Sequence, residues 1–180
     1  DPVRQFIIIY GIANTMKYLH EHNIVHERLI PSNILLNENN HAKVSDFGIS
    51  KLISTDYQTK SGRQPLHSIQ FVAPELLLRQ RNYTEKIDVY AFGVLVYFIL
   101  TKGEYPDISI IDVGNGKTAE IPKTINAFST QLIQQCWEFQ PNKRPSFPEI
   151  YQRIQQNEFR LIDGLDKELI EIKSRVNLLK

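Results

Sequence analysis

The stretch Ile24-Val25-His26-Glu27-Arg28-Leu29-Ile30-Pro31-Ser32-Asn33-Ile34-Leu35-Leu36 passes from an apolar pair, through a polar loop, into three consecutive aliphatic residues. Ala42-Lys43-Val44 follows across the polar run Asn37-Glu38-Asn39-Asn40-His41. Two short apolar runs around Asn-rich residues, which tolerate left-handed backbone, predict a β-hairpin.

Upstream, Ile8, Ile12, Met16 and Leu19 recur at helical spacing, and an amphipathic helix is expected over roughly residues 5–21. Downstream, residues 49–72 are rich in Ser, Thr, Lys and Gln and include Gly62 and Pro65, the composition of a long mobile loop. Thr84, with Glu85 and Asp88 behind it, can cap a helix. That helix contains the 12-residue apolar run Val89 to Leu100, is apolar on nearly every face and belongs at the domain centre, with Gly103 at its end. Ser129 or Thr130 can cap a helix carrying Leu132, Ile133, Cys136 and Trp137. Ser146-Phe147-Pro148-Glu149 is a capping box opening a helix with Ile150, Tyr151 and Ile154 on its inner side. From Ile162 to Leu179 apolar residues alternate spacings of three and four for under three heptads, interrupted by Gly164. A packed surface helix is the expected form of 162–179, and weak self-association through this seam is the open alternative.

The composition, 42% apolar and 23% charged over 180 residues, is that of a globular domain with a sizeable core. A net charge of +1 gives no electrostatic case for nucleic acid or for an acidic membrane surface. The 12-residue apolar run is short of the ~20 residues that span a bilayer. Cys136 is the single cysteine, so no internal disulfide forms and a reducing, cytoplasmic setting is expected. The sequon-like Asn82-Tyr83-Thr84 reads as chance in that setting, and His20, His22, His41 and His67 form no ligand-like pattern with Cys136. Pattern alone gives a mainly α domain with one hairpin and one long loop.

Five separated motifs carry the reading further. In order they are the stretch 24–36 above; Ser45-Asp46-Phe47-Gly48; Phe71-Val72-Ala73-Pro74-Glu75; Asp88-Val89-Tyr90-Ala91-Phe92-Gly93; and Cys136-Trp137-Glu138 followed by Pro141 and Arg144-Pro145-Ser146-Phe147. In this order and spacing they resemble the catalytic loop, the magnesium-binding D-F-G, the A-P-E that closes the activation segment, and two helical motifs of the C-terminal lobe of protein kinases. The wording of the last two leans toward the tyrosine-kinase-like group. The resemblance covers roughly residues 3–156. It implies the helical C-terminal lobe over 1–156, and the apolar spacing beyond it makes 157–180 a helical extension. The glycine-rich loop, the strand lysine and its glutamate partner, all of the upper lobe, are not among these 180 residues.

The resemblance also implies roles. Asp46 and Asn33 would hold Mg²⁺, Leu35 would floor the adenine of ATP, and His26 and Phe47 would stack into a regulatory spine. Asp88 would hold the catalytic-loop backbone, and Glu75 and Arg144 would form a buried ion pair locking the activation segment to the lobe. Ser68 falls where serine/threonine kinases usually carry a threonine near the substrate; a solvated loop serine is the alternative.

The catalytic loop of that family reads H-R-D-L-K-P-x-N, and this chain reads His26-Glu27-Arg28-Leu29-Ile30-Pro31-Ser32-Asn33. Arg28 stands for the aspartate that accepts the hydroxyl proton, and a guanidinium has no acceptor lone pair. Ile30 stands for the phosphate-binding lysine. Glu27 stands for an arginine that binds phosphate and would repel it. The expectation is a kinase-like lobe without phosphotransfer that binds protein partners, with weak ATP binding by this chain alone. The alternative is the lower lobe of an active serine/threonine or dual-specificity kinase whose upper lobe lies outside the chain. A decayed copy without a biochemical role is a third reading.

Overall fold

A computed structural model describes residues 1–46, 66–80 and 83–156. The first helix, α1, runs Pro2–Glu21 and begins earlier than its apolar spacing indicates. The Asp1 carboxylate accepts the N–H groups of Val3 and Arg4 at 2.9 and 3.4 Å. Pro2 occupies the first turn, where its missing N–H has no role. Phe6, Ile9, Ile12, Ala13, Met16 and Leu19 are buried in the core.

The predicted hairpin is present. Strands β1 (Ile34–Leu36) and β2 (Ala42–Val44) pair antiparallel, with Ile34 opposite Val44 and Leu36 opposite Ala42. The Asn37 side-chain oxygen accepts from Asn39 N–H at 3.0 Å and His41 N–H at 2.9 Å, and Asn40 takes φ 62°. A Cβ at Gly11 of α1 would lie 3.4 Å from the Ala42 Cβ, so α1 and β2 approach closely there.

After a 3-10 turn at Leu66–Phe71, the short helix α2 (Pro74–Leu77) leads to α3 (Lys86–Leu100), the central helix. Every residue from Ile87 to Tyr97 is buried, as an all-round apolar helix requires. Thr84 supports its start only weakly, its Oγ1 accepting from Lys86 N–H at 3.4 Å. At its end the left-handed residue is Lys102, φ 61°, and the Gly103 N–H donates to the Phe98 carbonyl at 2.8 Å.

Helix α4 (Ile110–Gly114) precedes α5 (Ala127–Cys136). The cap of α5 is Asn126, not Ser129 or Thr130: its side-chain oxygen accepts from Ser129 N–H at 2.9 Å. Ser129 and Thr130 already lie inside the first turn, and an Asn at the cap position performs the same task as Ser or Thr. Helix α6 (Phe147–Gln156) opens with the expected capping box. Ser146 N–H and hydroxyl donate to Glu149 Oε2 at 2.6 and 2.7 Å, and Glu149 N–H donates back to Ser146 Oγ at 3.4 Å.

Helices α1, α3, α5 and α6 share one core around α3, with the hairpin packed on α1. Helix α3 and the end of α5 approach closely at Gly93, where an added Cβ would fall 2.6 Å from the Cys136 Cβ and 2.9 Å from Trp137 Cδ1. The mainly helical architecture with a small hairpin is as the sequence indicated. Of the predicted long loop, Leu66–Phe71 is a turn; the seam 162–179, the sequon at Asn82 and the Ser68 side chain lie outside the described residues. Among the described residues no helix is long and apolar enough to cross a membrane.

Candidate active-site loop and its anchor

The loop between α1 and β1 is shaped from beneath by Asp88, in the first turn of α3. Its carboxylate takes the His26 N–H on Oδ2 at 2.7 Å and the Glu27 N–H on Oδ1 at 2.8 Å. A buried carboxylate needs such donors, and buried N–H groups need such an acceptor. Glu27 is thereby held at φ 67°, a left-handed conformation that costs a non-glycine residue about 1–2 kcal/mol. A third donor converges on the same carboxylate: His20 Nε2 lies 2.9 Å from Asp88 Oδ2. His20 also meets the edge of the Phe147 ring at 4.8 Å, tying α1, α3 and α6 together.

His26 is fully buried and its ring is fixed on both sides. The Arg28 N–H donates to Nδ1 at 3.2 Å, so Nδ1 carries the lone pair. Nε2 therefore bears the hydrogen and donates to the Ser45 carbonyl at 2.9 Å. His26 thus links the loop to the residue preceding Asp46.

Asn33 is buried beside it. Its Nδ2 donates to the Arg28 carbonyl at 2.9 Å, and its own carbonyl accepts from Ser45 N–H at 2.9 Å and Ser45 Oγ at 3.2 Å. The loop, the turn Pro31–Asn33 and the end of β2 are thus one hydrogen-bonded unit. At its mouth Arg28 and Asp46 are exposed, Asp46 with φ 60°. The Glu27 carboxylate accepts the Tyr83 hydroxyl at 3.3 Å. Leu35 lies 55% exposed on β1, and Leu36 beside it 40%. Ile30 points inward and is only 8% exposed, so the position of the expected phosphate lysine is part of the core. Phe47 lies outside the described residues.

Arg144 and Glu75 stand away from the loop, 2% and 3% exposed. Arg144 Nη1 meets Glu75 Oε1 at 2.7 Å and Nη2 meets Oε2 at 2.8 Å. Its remaining N–H groups donate to the carbonyls of Glu138, Lys86 and Phe139 at 2.7, 3.0 and 3.3 Å. All five guanidinium donors are therefore used, and the Tyr90 ring lies 5.2 Å from the guanidinium carbon. Burial is the main cause that pushes the Tyr90 hydroxyl up to about 12, with Arg144 opposing and Glu75 adding to it.

Asn33 and Asp46 are hard oxygen donors of the kind Mg²⁺ prefers, and Asn33 has its amide nitrogen, not its oxygen, committed to Arg28. Among the described residues no group of three or more His, Cys, Asp and Glu could hold a metal. Two oxygen ligands suit an ion that keeps waters and shares phosphate oxygens with a nucleotide. His20 was missed by sequence reasoning; its partner is 68 residues away and no local pattern announces it. Ser45 was quoted only as part of a motif, and its backbone carbonyl and N–H turn out to be what joins it to His26 and Asn33.

Residues 2–154 match the family model of protein tyrosine and serine/threonine kinases. This chain belongs to the protein kinase family. A probable serine/threonine-protein kinase, drkC, of Dictyostelium discoideum is 36% identical over 163 residues, 86% of this chain and 22% of drkC. The dual specificity protein kinase shkB of the same organism is 38% identical over 171 residues, 90% of this chain and 26% of shkB. The tyrosine-protein kinase transforming protein Abl of Abelson murine leukemia virus is 35% identical over 181 residues, 94% of this chain and 24% of that protein. The chain spans about a quarter of the length of each of these kinases. Within the protein kinase fold, the described residues form the helical C-terminal lobe.

Proposed function

We propose that this protein-kinase lobe does not transfer phosphate and serves as a binding or scaffolding module for protein partners in signalling. The observation that carries this reading is Arg28. Its backbone is held in the loop by Asn33 and His26, its side chain is exposed, and by the family resemblance it stands for the proton acceptor. A guanidinium stays protonated and donates only, so it cannot orient or deprotonate a hydroxyl. Buried Ile30 and the carboxylate of Glu27 remove the two cationic side chains that would flank it.

Asn33 and Asp46 would hold Mg²⁺ where a nucleotide is bound, and the ion would neutralise phosphate charge there. Leu35 offers an apolar surface for one face of an adenine. The 180 residues carry only this lower half of the cleft, so nucleotide affinity of the chain alone is expected to be low. The exposed pair Leu35 and Leu36 and the surface around α2 are proposed as partner-binding regions. A single buried cysteine fits a cytoplasmic setting.

The second reading is an active serine/threonine or dual-specificity kinase, favoured by the activity in the relatives' names and by the exposure of Asp46 as a substitute acceptor. A phosphotransfer assay on a version carrying both lobes separates the two. The scaffold reading expects no Mg²⁺-dependent turnover with Arg28 and a gain with Arg28→Asp. Mg²⁺-dependent turnover that disappears in Asp46→Ala overturns it. Ile30→Lys is the less informative reversion, because a lysine there starts from a buried position and must reach out of the core.

A further inference from the structure

A small cavity lies between the Leu66–Phe71 turn, α3, the Pro106 segment and the end of α5, lined by Gln70, Tyr90, Val94, Pro106, Ala119 and Trp137 among others. The space open to a water centre is about 10 Å³. Two of its lining residues carry buried polar atoms with no hydrogen-bond partner among the described residues: Trp137 Nε1 and Gln70 Oε1. Trp137 is 4% exposed, and its indole nitrogen is donor only. Gln70 Oε1 is acceptor only. The orientation of the Gln70 amide is fixed, because Nε2 donates to the Pro106 carbonyl at 3.4 Å and a carbonyl accepts only.

Leaving both atoms unpaired would cost the desolvation penalty of each. One donor and one acceptor on the wall of a space the size of one molecule match a ligand that accepts and donates at once. The remaining wall includes Val94 and Ala119, and the open space is no larger than one water needs. We propose that this cavity binds one long-lived water molecule, which accepts from Trp137 Nε1–H and donates to Gln70 Oε1. Such a water makes two polar contacts, the lower end of the two to four that buried waters make. It joins the turn before α2, where the activation segment closes, to the junction of α3 and α5. Gln70 then ties that turn to two places at once: directly to Pro106, and through the water to Trp137.

Trp137 is the only tryptophan of the chain, so its indole gives a single ¹⁵N–¹H resonance. In the folded 180-residue chain, a rotating-frame experiment should show a cross-peak between this proton and water with the sign of dipolar contact, not of chemical exchange. Gln70→Leu removes the acceptor, and the cross-peak should be lost with an upfield move of the indole proton. A folded wild-type chain with no dipolar cross-peak overturns the proposal, and so does a cross-peak unchanged by Gln70→Leu. Should Gln70→Leu not fold, the wild-type spectrum alone decides.

Discussion

His20 Nε2 lies 2.9 Å from Asp88 Oδ2, with side chains 5% and 1% exposed. This contact places a histidine from the end of α1 beneath a loop whose shape depends on the same carboxylate. Replacing His20 with Phe should destabilise the lobe by about 1–3 kcal/mol, the cost of losing one of three hydrogen bonds to a buried carboxylate. Asp88→Ala should do more, because the His26 and Glu27 N–H groups also lose their partner. Amide hydrogen exchange checks this: His26 and Glu27 should exchange faster in Asp88→Ala, and only slightly faster in His20→Phe.

Breaking one side of the Arg144–Glu75 pair leaves a buried charge unpaired. Arg144→Met should cost about 3–5 kcal/mol. At about 2–4 °C per kcal/mol for a chain of this size, the melting temperature should fall by several degrees or more. The double variant Arg144→Met/Glu75→Leu should recover part of that loss. Urea unfolding of the four proteins measures the coupling, and strict additivity would show that the pair does not act as a unit.

Gly93 sits where the chain cannot take a methyl group without moving α5. Gly93→Ala should destabilise by about 1–3 kcal/mol despite the higher helix propensity of alanine. Cys136→Ala should not rescue it, because the clash at 2.6 Å is with the Cβ that alanine retains. Cys136→Gly should relieve that contact. Thermal unfolding of the three variants is the test.

Burial holds the Cys136 thiol neutral and pushes it up to about 12 from 9.0. Both this group and Tyr90, raised from 10.0 to about 12, keep their protons in the fold at a pH where the unfolded chain releases them. The folded state then binds more protons, so stability should fall as pH rises from about 9 towards 12. In the same sense, a thiol reagent at neutral pH should label Cys136 only on unfolding. Rapid labelling of the native chain would contradict this environment.

Hydrogen bonds from Ser146, first through its side chain and then through its backbone N–H, hold the Glu149 carboxyl below its ordinary value. A depressed carboxylate contributes above its unfolded value and loses that contribution as pH falls through the folded one. Ser146→Ala should cost about 0.5–2 kcal/mol near neutrality. The difference from wild type should shrink in acid below pH 4.5, the ordinary value for this group. Paired urea titrations at both pH values decide it.

The central helix, the hairpin and the capping box were legible because each is written in neighbouring residues: the apolar run 89–100, the Asn-rich turn, and Ser146 with Glu149. The start of α5 was misread by a few residues because Asn126, Ser129 and Thr130 are all good caps, and which one serves depends on where the chain enters the core. The motif residues pointed to the loop, but its holding contacts were hidden. Asp88 reaches His26 across 62 positions, and His20 joins them from another helix. Ile30 was legible as a lost charge and not as a core residue, since burial is decided by what packs above it.

Glu27 and Asp46 both take left-handed backbone without being glycine, and Glu27 owes its place to a carboxylate on another helix. The curvature of the loop is therefore stored away from the side chains that project from it. Residues 27 and 28 can be exchanged like tools in a holder that keeps its grip. A search by backbone shape would find a catalytic loop here, and a search by charge would find its opposite. Changing the charge that the loop presents at 27 and 28 therefore takes new side chains there and no new backbone path.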